Sequence, residues 1–310
     1  MIIPTNARIA RLPYLRTFLA DQPNVVIGWG RKPSGRCAER IARILRSRLA
    51  LLEDGFVRSF ERDEPSMSVI FDDLGVYYDA RTVSRIEQVI AAGADNVQAK
   101  RARGLVTAWQ AGGISKYNHA PDHEGTLPDR YVLVADQSHG DLSVTGGLAD
   151  QASFATMLGA ALAENPDHEV LVKVHPDVLT HRKRGNFLPK DLEHPRIRLI
   201  ADGSHPVRLL RHAACVYAVT SLIGFEALLW GRPVRCFGMP FYAGWGLTGD
   251  HLAAPARRGA ARLEDLVHAA FVAQARYANP ADGTPWQVEQ AIAYMARQRA
   301  ARFGPPISRP

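Results

Sequence analysis

The chain has 310 residues, 46% of them hydrophobic and 22% charged, with a formal net charge of +7 and a pI near 9.5. That length suits two domains better than one core, and the composition is that of a globular protein with no apolar run long enough to cross a bilayer. The 38 Lys and Arg are scattered and accompany no recognition helix, zinc finger or basic-aromatic strand, so nucleic acid is set aside in favour of an anionic small substrate or an anionic membrane surface.

The N-terminal stretch MIIPTNARIARLPYLRTFLA carries arginines inside its apolar pattern and lacks a small-residue cleavage site, which predicts a cytoplasmic protein. Residues 25–27 form a short apolar run that breaks into Gly28-Trp29-Gly30-Arg31-Lys32-Pro33-Ser34-Gly35, and helical apolar spacing follows to Arg46. The next strand, 49–52, stops at Glu53-Asp54-Gly55, where an open α/β sheet places ligand-contacting groups. Glu53, with Asp54 beside it to raise its pKa, is a candidate general base. Residues 69–71 and 76–78 read as a strand pair, and 84–92 and 96–110 as helices. Cys37, Cys215 and Cys236 are odd in number and far apart, and read as reduced core residues.

The stretch HAPDHEGTLPDR, residues 119–130, is the expected linker. It divides the chain into an N-terminal Rossmann-like domain, 1–125, a C-terminal one, 126–285, and a last helix, 286–310, expected to pack back on the first domain. After the linker, strands are predicted at 131–135, 169–174, 197–200, 216–219 and 234–237, and helices at 152–164, 206–212, 223–230, 263–277 and about 286–302. Such alternation predicts an α/β fold with parallel sheet, and two such domains facing each other make a cleft.

Chemistry-bearing residues collect at the predicted strand ends. Lys173 and His175 share a strand face, and Pro176 holds His175 extended, so both point at a phosphate or at a departing nucleotide. Thr220, Ser221 and Gly224 stand at a helix start whose amides suit a phosphate, although an ordinary N-cap reads the same way. Glu226 in that apolar helix needs a partner, either a ribose diol or a buried structural group. In the loop Asp136-Gln137-Ser138-His139-Gly140-Asp141 one aspartate is a candidate nucleophile or base, and chemistry alone does not choose between them. Gln137 is grouped with the substrate-binding residues. Arg31, Lys32, Arg58 and Lys116 are candidate clamps for an anionic substrate, each by itself reading as surface charge. No HxxxH, CxxC or carboxylate triad suggests a metal, no Walker loop or complete dinucleotide fingerprint is present, and no cofactor is expected.

Taken in order, GWGRKPSG (28–35), LEDGFVRS (52–59), GVYYDA (75–80), ISKYN (114–118), VLVADQSHGDLSV (132–144), LVKVHPDV (171–178), TSLIGFEALLWGRPV (220–234) and CFGMPFYAGWGLT (236–248) resemble the KpsC-type capsule polysaccharide β-Kdo transferases, collinearly from about residue 25 to 280. The resemblance implies a GT-B-like, metal-independent enzyme that takes Kdo from the donor substrate CMP-Kdo and retains the anomeric configuration. By that likeness Asp141 is the nucleophile, Glu53 the acceptor's base, His175 and Ser221 phosphate contacts and Glu226 a ribose contact. The acceptor implied is a lipid-linked or Kdo-terminated glycan, and the partners implied are capsule assembly proteins met in peripheral association with the inner membrane. Well-known members carry two such modules, and this sequence holds one. A related transferase using another CMP-sugar by inversion, or a non-catalytic glycan-binding module, would share much of the pattern.

Overall fold

A computed structural model describes residues 2–174 and 184–305, so the His175-Pro176 pair lies outside the described residues. The chain falls into two compact units, one of Met1–Tyr77, Thr82–His119 and Glu264–Pro310, the other of Tyr78–Arg81 and Ala120–Leu263. The expected linker begins at the change of unit.

In the first unit β1 (Ile2–Pro4), β2 (Val25–Trp29) and β3 (Arg48–Asp54) run parallel, and β4 (Ser68–Asp72) lies antiparallel to β3. Helix Pro33–Leu45 lies tight on β2 because Gly28 has no side chain: a Cβ there would stand 2.6 Å from the Cα of Gly35 and 2.8 Å from the Cβ of Ala38. One sheet face packs Val25, Ile27, Ala50, Leu52, Val69 and Phe71 under two short N-terminal helices, and the other packs Val26 against Ala38 and Ala42. Residues 76–78, expected as a strand, form a turn instead. Asp72, 2% exposed, takes the amides of Leu74 and Gly75 on one oxygen and that of Arg85 on the other, which folds the chain back before a strand can start.

The second unit is all parallel. β5 (Tyr131–Ala135), β6 (Glu169–Lys173), β7 (Ile197–Ile200), β8 (Val216–Ala218), β9 (Val234–Cys236) and β10 (Gly249–Asp250) stand in the order β10-β9-β8-β5-β6-β7. Val132, Val134, Val170 and Val172 are buried against Phe154, Met157, Leu158 and Ala161 of helix Ala152–Glu164, the continuous apolar runs that a sheet covered on both faces requires. The chain builds outward from β5 through β6 to β7, then returns to β5's other edge as β8. Loops leaving β5 and β8 therefore diverge, and this switch point is where such sheets hold ligands.

The return to the first unit comes at Glu264, earlier than the residue 286 read from the sequence. A helix expected over 263–277 is α-helical only at Leu263–Val267, continues as a π-helical turn, and gives way to β11 (Ala275–Ala278). β11 pairs antiparallel with β4 and carries β12 (Pro285–Trp286) on its far side. Ala-Arg-Tyr-Ala fits either periodicity, and pairing with β4, together with the Tyr277 hydroxyl donating to Phe271 O at 2.9 Å, selects the strand. Helix Val288–Phe303 packs on helix Asn96–Gly112.

Candidate functional site

The loop leaving β5 carries two aspartates in unlike settings. Asp136 is 6% exposed, and its Oδ1 accepts from the amides of Gln137 at 2.8 Å and Asn186 at 3.1 Å and from Asn186 Nδ2 at 3.3 Å. Burial pushes its pKa up, against the pull of these hydrogen bonds. Asp141 is exposed and caps helix Leu142–Gly146, Oδ1 accepting from Ser143 N at 2.9 Å, while Oδ2 has no hydrogen bond among the described residues. Gly140, at φ +77, makes the turn that presents it.

Gln137 and Thr220 tie the β5 loop to the β8 loop across the switch point. Thr220 N and Oγ1 donate to Gln137 Oε1 at 2.9 and 3.2 Å, and Gln137 Nε2 reaches Ser143 Oγ at 3.3 Å. Both residues are buried, at 5% exposure, and Thr220 is enclosed so closely that a Cβ on Gly147 would lie 2.4 Å from its methyl and one on Gly238 2.8 Å. These two expected ligand contacts thus sit behind the surface and set its shape. Ser221 stays partly exposed and caps helix Leu222–Leu229, its Oγ accepting from Ile223 N at 3.3 Å. Gly224 has a packing duty: a Cβ there would come within 2.3 Å of the Tyr242 hydroxyl, which donates to Ser221 O. Glu226, on the same helix, is 4% exposed.

Lys173, at the end of β6, is also buried, and Nζ donates to Ser204 O at 2.6 Å. Burial lowers its pKa to about 8, and Asp202 opposes this. Asp202 itself, which burial alone would raise, is held at about 2 by Ser204 and His123. Lys173 therefore anchors the loop after β7 in this geometry rather than projecting alone toward an anion.

In the first unit strand alternation sends Glu53 and Asp54 to opposite faces of β3, so neighbours in sequence do not act as a facing pair. Asp54 lies 3.4 Å from Arg58 Nε and lines a pocket of about 570 Å³ with Trp29, Lys32, Arg58 and Glu64. Arg58 Nη1 donates to Ser59 Oγ and to the carbonyls of Arg62 and Glu64. Arg58 and Lys116 both approach the ring of Tyr117, at 6.0 and 5.7 Å, and Lys32 stands over Trp29 at 5.8 Å. Arg31 is committed to Glu39 and Thr82.

Sequence reasoning missed Asn186, Ser143 and Tyr242, which position the loops. Ser143 had a signal in the motif VLVADQSHGDLSV and Tyr242 in the aromatic run 241–245, while Asn186 had none. That run is buried scaffold: Trp245 Nε1 donates to Phe241 O at 2.8 Å, and Arg258 Nη1 to Pro240 O and Ala243 O at 2.8 and 2.9 Å.

The solved beta Kdo 2,4 transferase of Thermosulfurimonas dismutans KpsC is similar to this chain with TM-score 0.87 and 36% identity, over 95% of this chain and 97% of that one. The beta Kdo 2,7 transferase of the same protein follows at 0.69 and 27%, over 91% and 87%. Capsule polysaccharide modification protein LipA of Neisseria meningitidis serogroup B is 37% identical over 95% of this chain and 45% of its own length, and lipopolysaccharide-processing protein LpsZ of Rhizobium meliloti is 32% identical over 93% and 70%. The chain spans about half the length of LipA. A family model described as capsule polysaccharide biosynthesis protein matches residues 24–120 and 103–279. With two six-stranded sheets in an α/β fold, a solved relative alike over nearly the whole chain, and that model covering most of the sequence, the chain belongs to the capsule polysaccharide biosynthesis protein family.

Proposed function

We propose that the chain is a retaining β-Kdo glycosyltransferase that moves Kdo from CMP-Kdo to a lipid-linked or Kdo-terminated glycan in capsule or surface polysaccharide biosynthesis. The observation that carries the reading is an exposed carboxylate, Asp141, beside a capped helix start, Ser221, on the two loops that diverge at the switch point of a parallel sheet. Likeness to a solved Kdo transferase over 95% of the chain supports the choice of sugar, and the greater likeness to the 2,4 than to the 2,7 enzyme supports a 2,4 linkage.

In this mechanism an Asp141 oxygen attacks the anomeric carbon of Kdo and the bond to the CMP phosphate breaks, its electron pair leaving on the phosphate oxygen. The first-turn amides of helix Leu222–Leu229, and His175, receive the developing charge. An acceptor hydroxyl then attacks the same carbon, Glu53 takes its proton, and the Asp141 carboxylate departs; two inversions give net retention. Lys116 and Arg58 are proposed to hold the carboxylate of a sugar and Arg31 and Lys32 to supply positive charge nearby; Glu226, as buried as Gln137 and Thr220, would meet the ribose only through a movement of its helix start, and no metal is required. A cytoplasmic location with peripheral attachment to the inner membrane follows from the charge and from the lipid-linked acceptor.

The test is incubation of the full chain with enzymatically generated CMP-Kdo and a soluble acceptor ending in β-Kdo. Expected is CMP release with one added Kdo, β-configured and joined at O-4 by NMR. An α-linked product, or consumption of CMP-sialic acid with CMP-Kdo untouched, would overturn the reading.

A further inference from the structure

Helix Pro33–Leu45 has small residues inward and large or basic ones outward. Gly35, Ala38 and Ala42 are buried on β2, while Arg36, Arg40 and Arg43 are exposed along the outer face and Arg46 and Arg48 are exposed just beyond its end. Its only acid, Glu39, is held by Arg31. Beyond the helix, Asp73 feels the charge of Arg48 but is bound by Arg85. Among these guanidinium groups stand two aliphatic side chains that the fold leaves outside, Ile44 at 78% exposure and Leu45 at 53%. Arg40 and Ile44, four residues apart, share one side of the helix.

We propose that this face docks on an anionic phospholipid surface, the arginines meeting headgroups and Ile44 and Leu45 entering the boundary with the acyl chains. Charge complementarity favours a polyanion, and the exposed aliphatic pair selects a lipid surface among polyanions, since neither a glycan nor a nucleic acid backbone gives it an apolar phase to enter. The face starts at Arg36, one turn after Lys32, so a bilayer lying on it runs close to residues assigned to the substrate. The inference deepens the proposed action on a lipid-linked glycan, and its test lets either fail alone.

The full chain is sedimented with sucrose-loaded vesicles of two parts phosphatidylcholine to one part phosphatidylglycerol, and with vesicles of phosphatidylcholine only. Wild type is expected to bind the first and not the second. Arg40→Glu with Arg43→Glu should weaken binding by about twentyfold or more, from about 1 kcal/mol per basic residue near such a surface. Ile44→Ser should weaken it by about fivefold at unchanged charge. A charge-matched control on helix Asn96–Gly112, Lys100→Glu with Arg103→Glu, should stay near wild type. Equal losses in both charge-reversed pairs, no effect of Ile44→Ser, or no binding by wild type would each overturn the proposal. Transfer to the soluble acceptor without vesicles is measured in parallel. The Arg40/Arg43 variant should retain it, and loss of transfer there would place these arginines at the substrate instead. If wild type binds vesicles but transfers nothing, the docking surface stands and the enzymatic reading falls.

Discussion

Burial separates residues that sequence spacing makes look alike. Asp136 spends its carboxylate on holding Gln137 and Asn186 in place, and Asp141, five positions on, keeps an oxygen turned to solvent. Lys173 follows the same logic: its position on β6 was legible, but the carbonyl of Ser204 that receives its ammonium comes from a loop no local pattern connects to it. Its pKa, depressed by burial to about 8 from 10.5, has a thermodynamic consequence. Between those two values the unfolded chain holds the proton and the folded chain does not, so this lysine's contribution to stability should rise with pH across the window, by up to about 3 kcal/mol. Burial pushes the thiols of Cys215 and Cys236 up, and their contribution falls with pH in the same window, so the lysine is read as a difference: urea unfolding at the two ends of the window should show wild type gaining stability relative to Lys173→Met as pH rises. An identical pH dependence in both would mean that Lys173 titrates as if exposed.

At the scale of elements, the second unit was largely readable because its central strands β5, β6 and β8 hold unbroken apolar runs, the pattern of parallel strands buried on both sides. The strands β11 and β12 were not, since a four-residue segment gains its strand character from a partner, β4, far away in the chain. The loop architecture was hidden for the same reason. Gly224 looked like part of a phosphate turn, yet what demands a glycine is Tyr242, arriving from another loop. Gly224→Ala should cost about 1–3 kcal/mol from the forced contact and weaken CMP binding by displacing the start of helix Leu222–Leu229. Tyr242→Phe removes the atom that clashes most, so the double variant should recover part of the loss. Additive effects in thermal unfolding of the three variants would show that the two residues do not meet as described.

For the whole molecule, the sequence conveyed two α/β domains and the linker near residue 120 but not the threading, in which the chain leaves the first unit, completes the second and returns at Glu264 to add a helical segment, two strands and a last helix. Order along the chain shows where elements are and not which edge of an existing sheet they join. Candidate residues were legible to the extent that strand ends carry them: in the second unit Asp141 and Ser221 lie beyond the C-terminal ends of β5 and β8, and in the first unit Glu53 lies at that of β3, while the groups that fix the loops do not announce themselves. In the proposed mechanism Asp141 carries the sugar between donor and acceptor. The most direct test is intact-protein and peptide mass spectrometry after incubation with CMP-Kdo in the absence of acceptor, on wild type, Asp136→Asn and Asp141→Asn. A Kdo adduct is expected on the peptide containing Asp141 in wild type and Asp136→Asn, discharged when acceptor is added, with none in Asp141→Asn and its transfer rate lower by at least about a thousandfold. An adduct that survives Asp141→Asn, or β-linked product formed at an undiminished rate by that variant, would contradict the account.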